Sequence, residues 1–381
     1  MTPIPLVLAG ARGHGRRHLD NIRRLQRHGA VRLAGVCDLA PLGAAELDGF
    51  DDVAQSADLA GLLDATGAGI AVVCTPIDTH TALALTAARR GTHLLLEKPP
   101  APSWAEFRRM ADGVAAAGTA CQIGFQSLGS HALPAIARLV ADGTIGDVTG
   151  IGAAGAWARD EAYFRRSPWA GKRRLDDGTD VVDGVLTNPL AHAAATALAL
   201  AGSPHADDVT RIELELARAN DIEADDTSCA RVTTARGLPV TVAVTLCAEQ
   251  PGEPYVVVHG SRGRITFWYK QDRVLVQRAG HGPVETVHGR TDLLENLVAH
   301  LRHGTALLVP PERTGAFMRL VDAVRTAPEP RRLAEGTWYA DDGRRVVKGV
   351  DRLVHASADT LALFSELDRT APPRPGRENS P

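Results

Sequence analysis

The sequence predicts an α/β chain of two domains: a doubly wound parallel sheet, then an α+β domain carrying a largely antiparallel open sheet. Short apolar runs alternate with helix-period segments up to about residue 125, and strand-like runs then follow one another without helices between them. At 381 residues the chain also exceeds the length at which one core usually stops growing.

Strands are expected at Ile4–Ala9, Val31–Cys37, Ile70–Cys74, His93–Leu96 and Ala120–Ile123, with helices between them at about 14–28, 56–65, 79–90 and 103–117. Runs that are apolar on both faces and separated by helices imply a sheet covered on both sides, wound by right-handed crossovers. Beyond Phe125, helical patterns at about 131–141 and 184–201 enclose an irregular stretch at 158–180 rich in arginine and tryptophan. Alternating runs at 209–217, 228–235, 239–247, 254–259, 263–269 and 272–277 read as an antiparallel sheet, closed by helices at about 290–303 and 312–326. A hairpin around Asp341-Asp342-Gly343 and a helix at about 352–366 lead to a Pro-rich tail. The resulting organisation is 1–124 for the parallel domain, 125–330 for the α+β domain, 331–370 for an extension packed on the rest, and 371–381 for a disordered tail.

The formal net charge of −3 gives no electrostatic reason to expect nucleic acid or an anionic membrane as partner, so a small molecule fits better. No apolar run approaches a membrane span, and Met1-Thr2-Pro3-Ile4-Pro5 lacks the basic segment and long apolar run of a secretory signal. Cys37, Cys74, Cys121, Cys229 and Cys247 are scattered singly, which points to reduced thiols in a cytoplasmic protein, with no metal-ligand spacing and no disulfide framework. A sheet with helices on one face leaves the other to be covered, so a homo-oligomer is expected. The cations are nearly all arginine; only Lys98, Lys172, Lys270 and Lys348 could give up a proton.

Gly10-Ala11-Arg12-Gly13-His14-Gly15 follows the first expected strand and opens a helix. Gly10 permits a tight turn, Gly15 lets the helix pack on the sheet, and backbone N–H groups at the helix start can hold a pyrophosphate. Asp38, closing the second strand, stands where an acid accepts hydrogen bonds from an adenosine ribose. These features make the first domain a Rossmann dinucleotide-binding fold. Asp38 favours NAD, while Arg12, Arg16 and Arg17 leave NADP open. The middle glycine of the usual motif is Arg12 here, with Gly13 one place later.

Thr75-Pro76 and Glu97-Lys98-Pro99 end strands at the carboxyl edge, where doubly wound sheets bind ligands. Together with the glycine turn, Val73-Cys74-Thr75-Pro76, His80, and Gly91-Thr92-His93-Leu94-Leu95-Leu96-Glu97-Lys98-Pro99, the chain resembles the glucose-fructose oxidoreductase, inositol dehydrogenase and MocA (Gfo/Idh/MocA) family. Asp183-Gly184-Val185-Leu186-Thr187-Asn188-Pro189-Leu190-Ala191-His192 is similar to that family's Gly-Gly-x-x-x-Asp-x-x-x-His helix, and the similarity extends over roughly residues 4–325. The resemblance implies that Lys98 and His192 meet at a substrate hydroxyl and that the Lys98–Pro99 peptide is cis. It also implies cofactor contacts along Gly10, Arg12, Gly13, His14, Gly15, Asp38, Thr75, Pro76, His80, Glu97 and Lys98. Asn188 departs from the family aspartate and cannot carry charge; Asp183 replaces the first glycine.

Oxidising a secondary alcohol requires a group to take the hydroxyl proton and a cation to stabilise the developing alkoxide, roles suited to His192 and Lys98. Asn188, four residues before His192, is expected on the same helix face. Tyr163, Arg165, Trp169 and Lys172 lie in the irregular stretch and are expected to wall the substrate site. The function expected is hydride transfer between NAD(P) and a sugar, glycoside or cyclitol. Two alternatives stay open: a glycosidase that uses NAD for transient oxidation, and a silent dinucleotide-binding regulator.

Overall fold

The computed structural model describes residues 2–367, so the expected tail at 371–381 lies outside the described residues. In the first sheet, β1 (Ile4–Ala9), β2 (Val31–Cys37), β3 (Ala54–Ser56), β4 (Ile70–Val73), β5 (His93–Leu96) and β6 (Cys121–Ile123) alternate with α1 (Gly15–Arg27), α2 (Leu59–Thr66), α3 (Ile77–Ala88) and α4 (Trp104–Ala116). Every pairing is parallel, in the order β3-β2-β1-β4-β5-β6. Leu6 to Ala9 and Ile70 to Val73 are fully buried, as expected for strands covered by helices on both sides. The order reverses between β1 and β4, and the carboxyl ends of β1, β2, β4 and β5 place the glycine turn, Asp38, Thr75 and Lys98 on one edge. β3 carries no strand signal because only Ala54 of its three residues is apolar and two of them are exposed.

The second sheet is built from β7 (Val148–Ala156), β8 (Val209–Arg218), β9 (Thr227–Thr234), β10 (Pro239–Thr245), β11 (Tyr255–Gly260), β12 (Gly263–Trp268), β13 (Arg273–Arg278), β14 (Val284–Val287) and β15 (Arg331–Arg332). Its order is β14-β13-β12-β11-β7-β10-β9-β8-β15, antiparallel except for β7 with β10 and β8 with β15. The helices are α5 (Ala132–Ala141), α6 (Glu161–Phe164), α7 (Ala191–Leu200), α8 (Leu293–His303) and α9 (Gly315–Thr326). After them come β16 (Trp338–Asp341), β17 (Arg344–Val347), α10 (Val350–Thr360) and α11 (Phe364–Leu367). The hairpin between β16 and β17 turns at Asp342 and Gly343, both at positive φ. The single helix expected over 352–366 is instead two, broken where Leu361 takes φ +59°. No described helix is long and apolar enough to cross a membrane.

Central strand β7 was absent from the sequence reading, and its composition shows why. Val-Thr-Gly-Ile-Gly-Ala-Ala-Gly-Ala lacks the β-branched run that signals a strand, because helices press closely on both faces. A Cβ on Gly155 would stand 2.8 Å from Leu190, just ahead of α7; one on Gly152 would stand 2.0 Å from the Ala358 carbonyl of α10. The C-terminal extension thus packs on the sheet face opposite α7, in a core of Ala154, Cys229, Ala243, Cys247, Val350, Val354 and Ala358. Over its central strands β7, β10 and β11, the face that motivated the expectation of a homo-oligomer is covered by the chain's own α10. Gly152→Val should force α10 away from β7 and lower stability by about 1–3 kcal/mol or more, read as a shifted denaturation midpoint. An unshifted midpoint would mean that α10 is not docked there.

Candidate active site

The site begins at the glycine turn. Gly10 takes φ +80°, and a Cβ there would lie 2.4 Å from the Cys74 carbonyl, so the chain can cross from β1 past β4 only without a side chain. Gly13, at φ +59°, faces open space, with nothing within 4 Å of where its Cβ would be. No side chain caps α1; the Gly15 and Arg17 N–H groups bond to the Arg12 and His14 carbonyls, each at 3.0 Å, and the other N–H groups at the helix start can take an anion. Asp38 accepts from the Ala11 N–H at 3.0 Å, tying the end of β2 to the turn. Arg12 folds back over the loop after β2, donating to Asp38 Oδ1 at 3.1 Å and to the carbonyls of Ala40 and Pro41 at 2.8 and 2.9 Å. The cradle therefore fits an NAD pyrophosphate at the Gly13 opening and a ribose against Asp38.

His80 is buried in α3, its ring nitrogens 2.9 Å from the Thr75 carbonyl and 2.8 Å from that of Pro99. It joins the two strand-end turns. Thr75 holds Thr79 through their hydroxyls at 2.6 Å, at the entry to the same helix. The Lys98–Pro99 peptide is cis.

Glu97 is buried with its Oε1 near three donors: His18 Nε2 at 2.9 Å, Gln126 Nε2 at 2.8 Å and the exposed His14 ring at 3.6 Å. Burial alone would raise its pKa, but the hydrogen bonds from His14 and His18 outweigh it and hold the carboxylate well below its ordinary range. His14, His18 and Glu97 bring three ligand atoms within 4.8 Å of one another. Ligands about 2.0–2.1 Å from a tetrahedral zinc stand roughly 3.3 Å apart, so the 2.9 Å contact between His18 and Glu97 is a hydrogen-bond spacing, with a proton between them.

Lys98 crosses from the first sheet to the second domain. Its Nζ donates to Asn188 Oδ1 at 2.6 Å and to the Asn188 carbonyl at 3.0 Å. Burial lowers its pKa, partly offset by the charge of Glu97. Asn188 does not ride on the His192 helix as expected, because α7 starts at Ala191, after Pro189; Asn188 reaches Lys98 from the preceding turn. That turn is held by the Asn188 N–H bonding to the Gly184 carbonyl at 3.0 Å.

His192 opens α7. Its Nδ1 lies 3.1 Å from Ser127 Oγ, which also accepts from Thr196 at 2.9 Å, and Phe125 meets its ring edge-on at 5.5 Å. With Nδ1–H donated to Ser127, Nε2 keeps a free lone pair. Burial, reinforced by the positive charge of Lys98, pulls its pKa down to about 3, far from the titration near neutrality that histidine ordinarily shows. Unfolded, the same histidine takes up a proton as pH falls below 6.5, whereas the folded protein keeps it neutral to about 3. Stability present above pH 6.5 is thus lost progressively toward pH 3. His192→Gln should flatten the fall in Tm across that window; an unchanged slope would show that His192 is not held neutral.

The four residues expected to wall the substrate site divide into two that turn inward on the loop and two that point to solvent. Tyr163 and Trp169 flank the Arg166 guanidinium, whose centre lies 3.8 and 4.6 Å from their rings. Arg165 instead points outward, its side chain 77% exposed and paired with Glu161 one helical turn back. Lys172 is drawn off to exposed Asp176 at 2.6 Å. The arginine that turns inward is Arg166, one position on, which faces Asp183 at 3.1 Å. His18, Gln126 and Ser127 were also missed. Only His18 carried a signal, its spacing of four from His14 on one helix face.

A cradle for a dinucleotide beside a lysine at the end of a strand of the first sheet and a histidine at the start of a helix of the second domain is the arrangement of a nicotinamide-dependent oxidoreductase. Comparison with known proteins agrees: residues 4–125 match the oxidoreductase family, NAD-binding Rossmann fold (Gfo/Idh/MocA), and residues 134–266 match the Gfo/Idh/MocA C-terminal domain. The chain belongs to the Gfo/Idh/MocA family.

Among curated relatives, inositol 2-dehydrogenase of Streptomyces avermitilis is 34% identical over 116 residues, 30% of this chain and 34% of that protein. The 4-carboxy-2-hydroxymuconate-6-semialdehyde dehydrogenase of Sphingobium is 27% identical over 120 residues, 31% of this chain and 37% of its own length. The match thus spans about a third of each relative. Among solved structures, the WlbA dehydrogenase from Bordetella pertussis, in complex with NADH and UDP-GlcNAcA, aligns with TM-score 0.69 and 21% identity, over 84% of this chain and 95% of that one. These structural likenesses establish a shared fold.

Proposed function

We propose that this protein interconverts a secondary alcohol and a ketone on a sugar, glycoside or cyclitol, with NAD(H) as hydride partner and with Lys98 and His192 at the reacting hydroxyl. The observation that carries the reading is that Lys98, just past the end of β5, reaches across to Asn188 in the turn that leads into α7, four residues before His192. Bound NAD supplies the acceptor for the hydrogen and electron pair that leave the carbinol carbon. His192 Nε2 takes the hydroxyl proton, Lys98 stabilises the alkoxide oxygen, and Asn188 orients the lysine. Tyr163 and Trp169 would wall the substrate side of this loop through the Arg166 guanidinium stacked on their rings at 3.8 and 4.6 Å. Relatives and neighbours named for inositol, and solved with a sugar nucleotide, support the substrate class. The five unpaired thiols fit a reducing, cytoplasmic setting.

The test is a screen of sugars, glycosides, sugar nucleotides and cyclitols for NADH formation at alkaline pH. Accumulation with at least one of them is expected. Bound NAD with no reduction by any would overturn the reading, and aglycone release without net NADH would favour the glycosidase alternative.

Cofactor choice follows from Asp38. Its carboxylate would repel a ribose phosphate and occupies the Arg12 guanidinium that could otherwise greet one. NAD should bind more tightly than NADP in a calorimetric titration, and Asp38→Ala should narrow the gap by freeing Arg12. Equal binding of both cofactors to the unaltered protein would contradict this.

A further inference from the structure

Among the described residues the Lys98 ammonium touches no carboxylate, although the residue's backbone N–H donates to Glu97 Oε2 at 3.1 Å. The ammonium's partner is the neutral amide of Asn188, yet that amide is itself held from behind: Asn188 Nδ2 donates to Asp183 Oδ1 at 2.5 Å. Asp183 is buried, 7% exposed, and its other oxygen accepts from the Gly171 N–H at 2.8 Å and from Arg166 at 3.1 Å. An amide between an ammonium and a carboxylate has one stable orientation, because a flip would set its NH2 against Lys98 and its oxygen against Asp183. We infer that Asp183 is a positioning residue for Lys98, supplying through Asn188 the negative charge that a carboxylate at position 188 would supply directly. The inference rests on the proposed role of Lys98, and it explains two features of the sequence together: an acid where a glycine was expected and an amide where an acid was expected.

The charged or titratable groups around Lys98 are Glu97 beside it, Cys74 at the end of β4, His192 at the start of α7, and Asp183 with Arg166 from the loop. Only Asp183 is linked to the ammonium by hydrogen bonds through one intervening side chain. Removing its charge should make Lys98 easier to deprotonate and free the Asn188 amide to flip. Arg166 and Gly171 would lose their acceptor as well, so a plain loss of activity could reflect a disturbed loop alone.

The test therefore reads Lys98 itself. Competitive trace acetylation of the NAD-bound protein with acetic anhydride across a pH series, quantified by mass spectrometry, gives the titration of Lys98 without any substrate. In Asp183→Asn the titration should move to lower pH, and Asn188→Asp added to it should move it back. Asn188→Ala, which leaves Asp183 on Arg166 and Gly171, should shift Lys98 in the same direction as Asp183→Asn. With an active substrate, kcat should fall roughly tenfold or more in Asp183→Asn and recover in the double variant, while NAD affinity holds. A Lys98 titration unmoved in both Asp183→Asn and Asn188→Ala, or a shift that Asn188→Asp fails to reverse, would overturn the inference. Should the shift and its reversal appear in a protein that oxidises nothing, the relay would stand and the dehydrogenase reading would fall.

Discussion

Replacing His192 with alanine is expected to lower kcat for alcohol oxidation by about 10²–10⁴-fold, the usual contribution of a positioned general base. His192 is poised in an unusual way. At a pKa of about 3 the free histidine is neutral across any working pH, so no proton must leave it before substrate binds, but it is also a weak base. Part of that weakness is repulsion from Lys98. As alkoxide charge develops against the ammonium, the repulsion is cancelled and the imidazole gains basicity while the proton moves toward it. The acid limb of the kcat/KM profile should accordingly fall well below neutrality. An acid limb near pH 6.5, lost in His192→Ala, would mean that the pocket leaves the imidazole in its ordinary range. Cofactor affinity, measured by calorimetry, should change little.

Lys98→Met should depress turnover roughly 10²–10³-fold, about 2.7–4 kcal/mol, if the ammonium acts as an oxyanion donor. Methionine keeps length and apolar bulk while removing the charge. Its effect should be greatest below the pH at which Lys98 loses its proton, since above that point the native protein has lost the same charge. Because burial lowers the Lys98 pKa, the alkaline limb of the profile is assigned to this group and should vanish in the variant. If Lys98→Met instead removed the acid limb while His192→Ala left it in place, the lysine would be the base and the roles reversed.

Much of this arrangement was legible in the residues because each signal was local. Ile4–Ala9 followed by the glycine turn, Asp38 after a strand, and Glu97-Lys98-Pro99 after an apolar run all depend on neighbours within one strand-turn-helix unit. What failed depended on contacts distant in sequence. β7 did not read as a strand because its glycines and alanines answer to α10, some 200 residues later. Arg165 and Arg166 are indistinguishable in the chain; only the pairing of Arg165 with Glu161 turns one out and the other in. The approach of Asp183 to Asn188 is likewise set by the backbone of a turn that the helical pattern at 184–201 concealed.

The central claim, hydride transfer at the Lys98–His192 site, is tested most directly by following a deuterium label. A sugar or cyclitol drawn from the substrate screen, deuterated at its carbinol carbon, would be incubated with NAD and the native protein, and the recovered nicotinamide analysed by mass spectrometry and NMR. The account predicts deuterium on one face of the reduced nicotinamide ring in the native protein, with the rate of its appearance cut by about 10²-fold or more in both His192→Ala and Lys98→Met. Label remaining on the sugar while NAD stays bound, or transfer at undiminished rate in both variants, would contradict it.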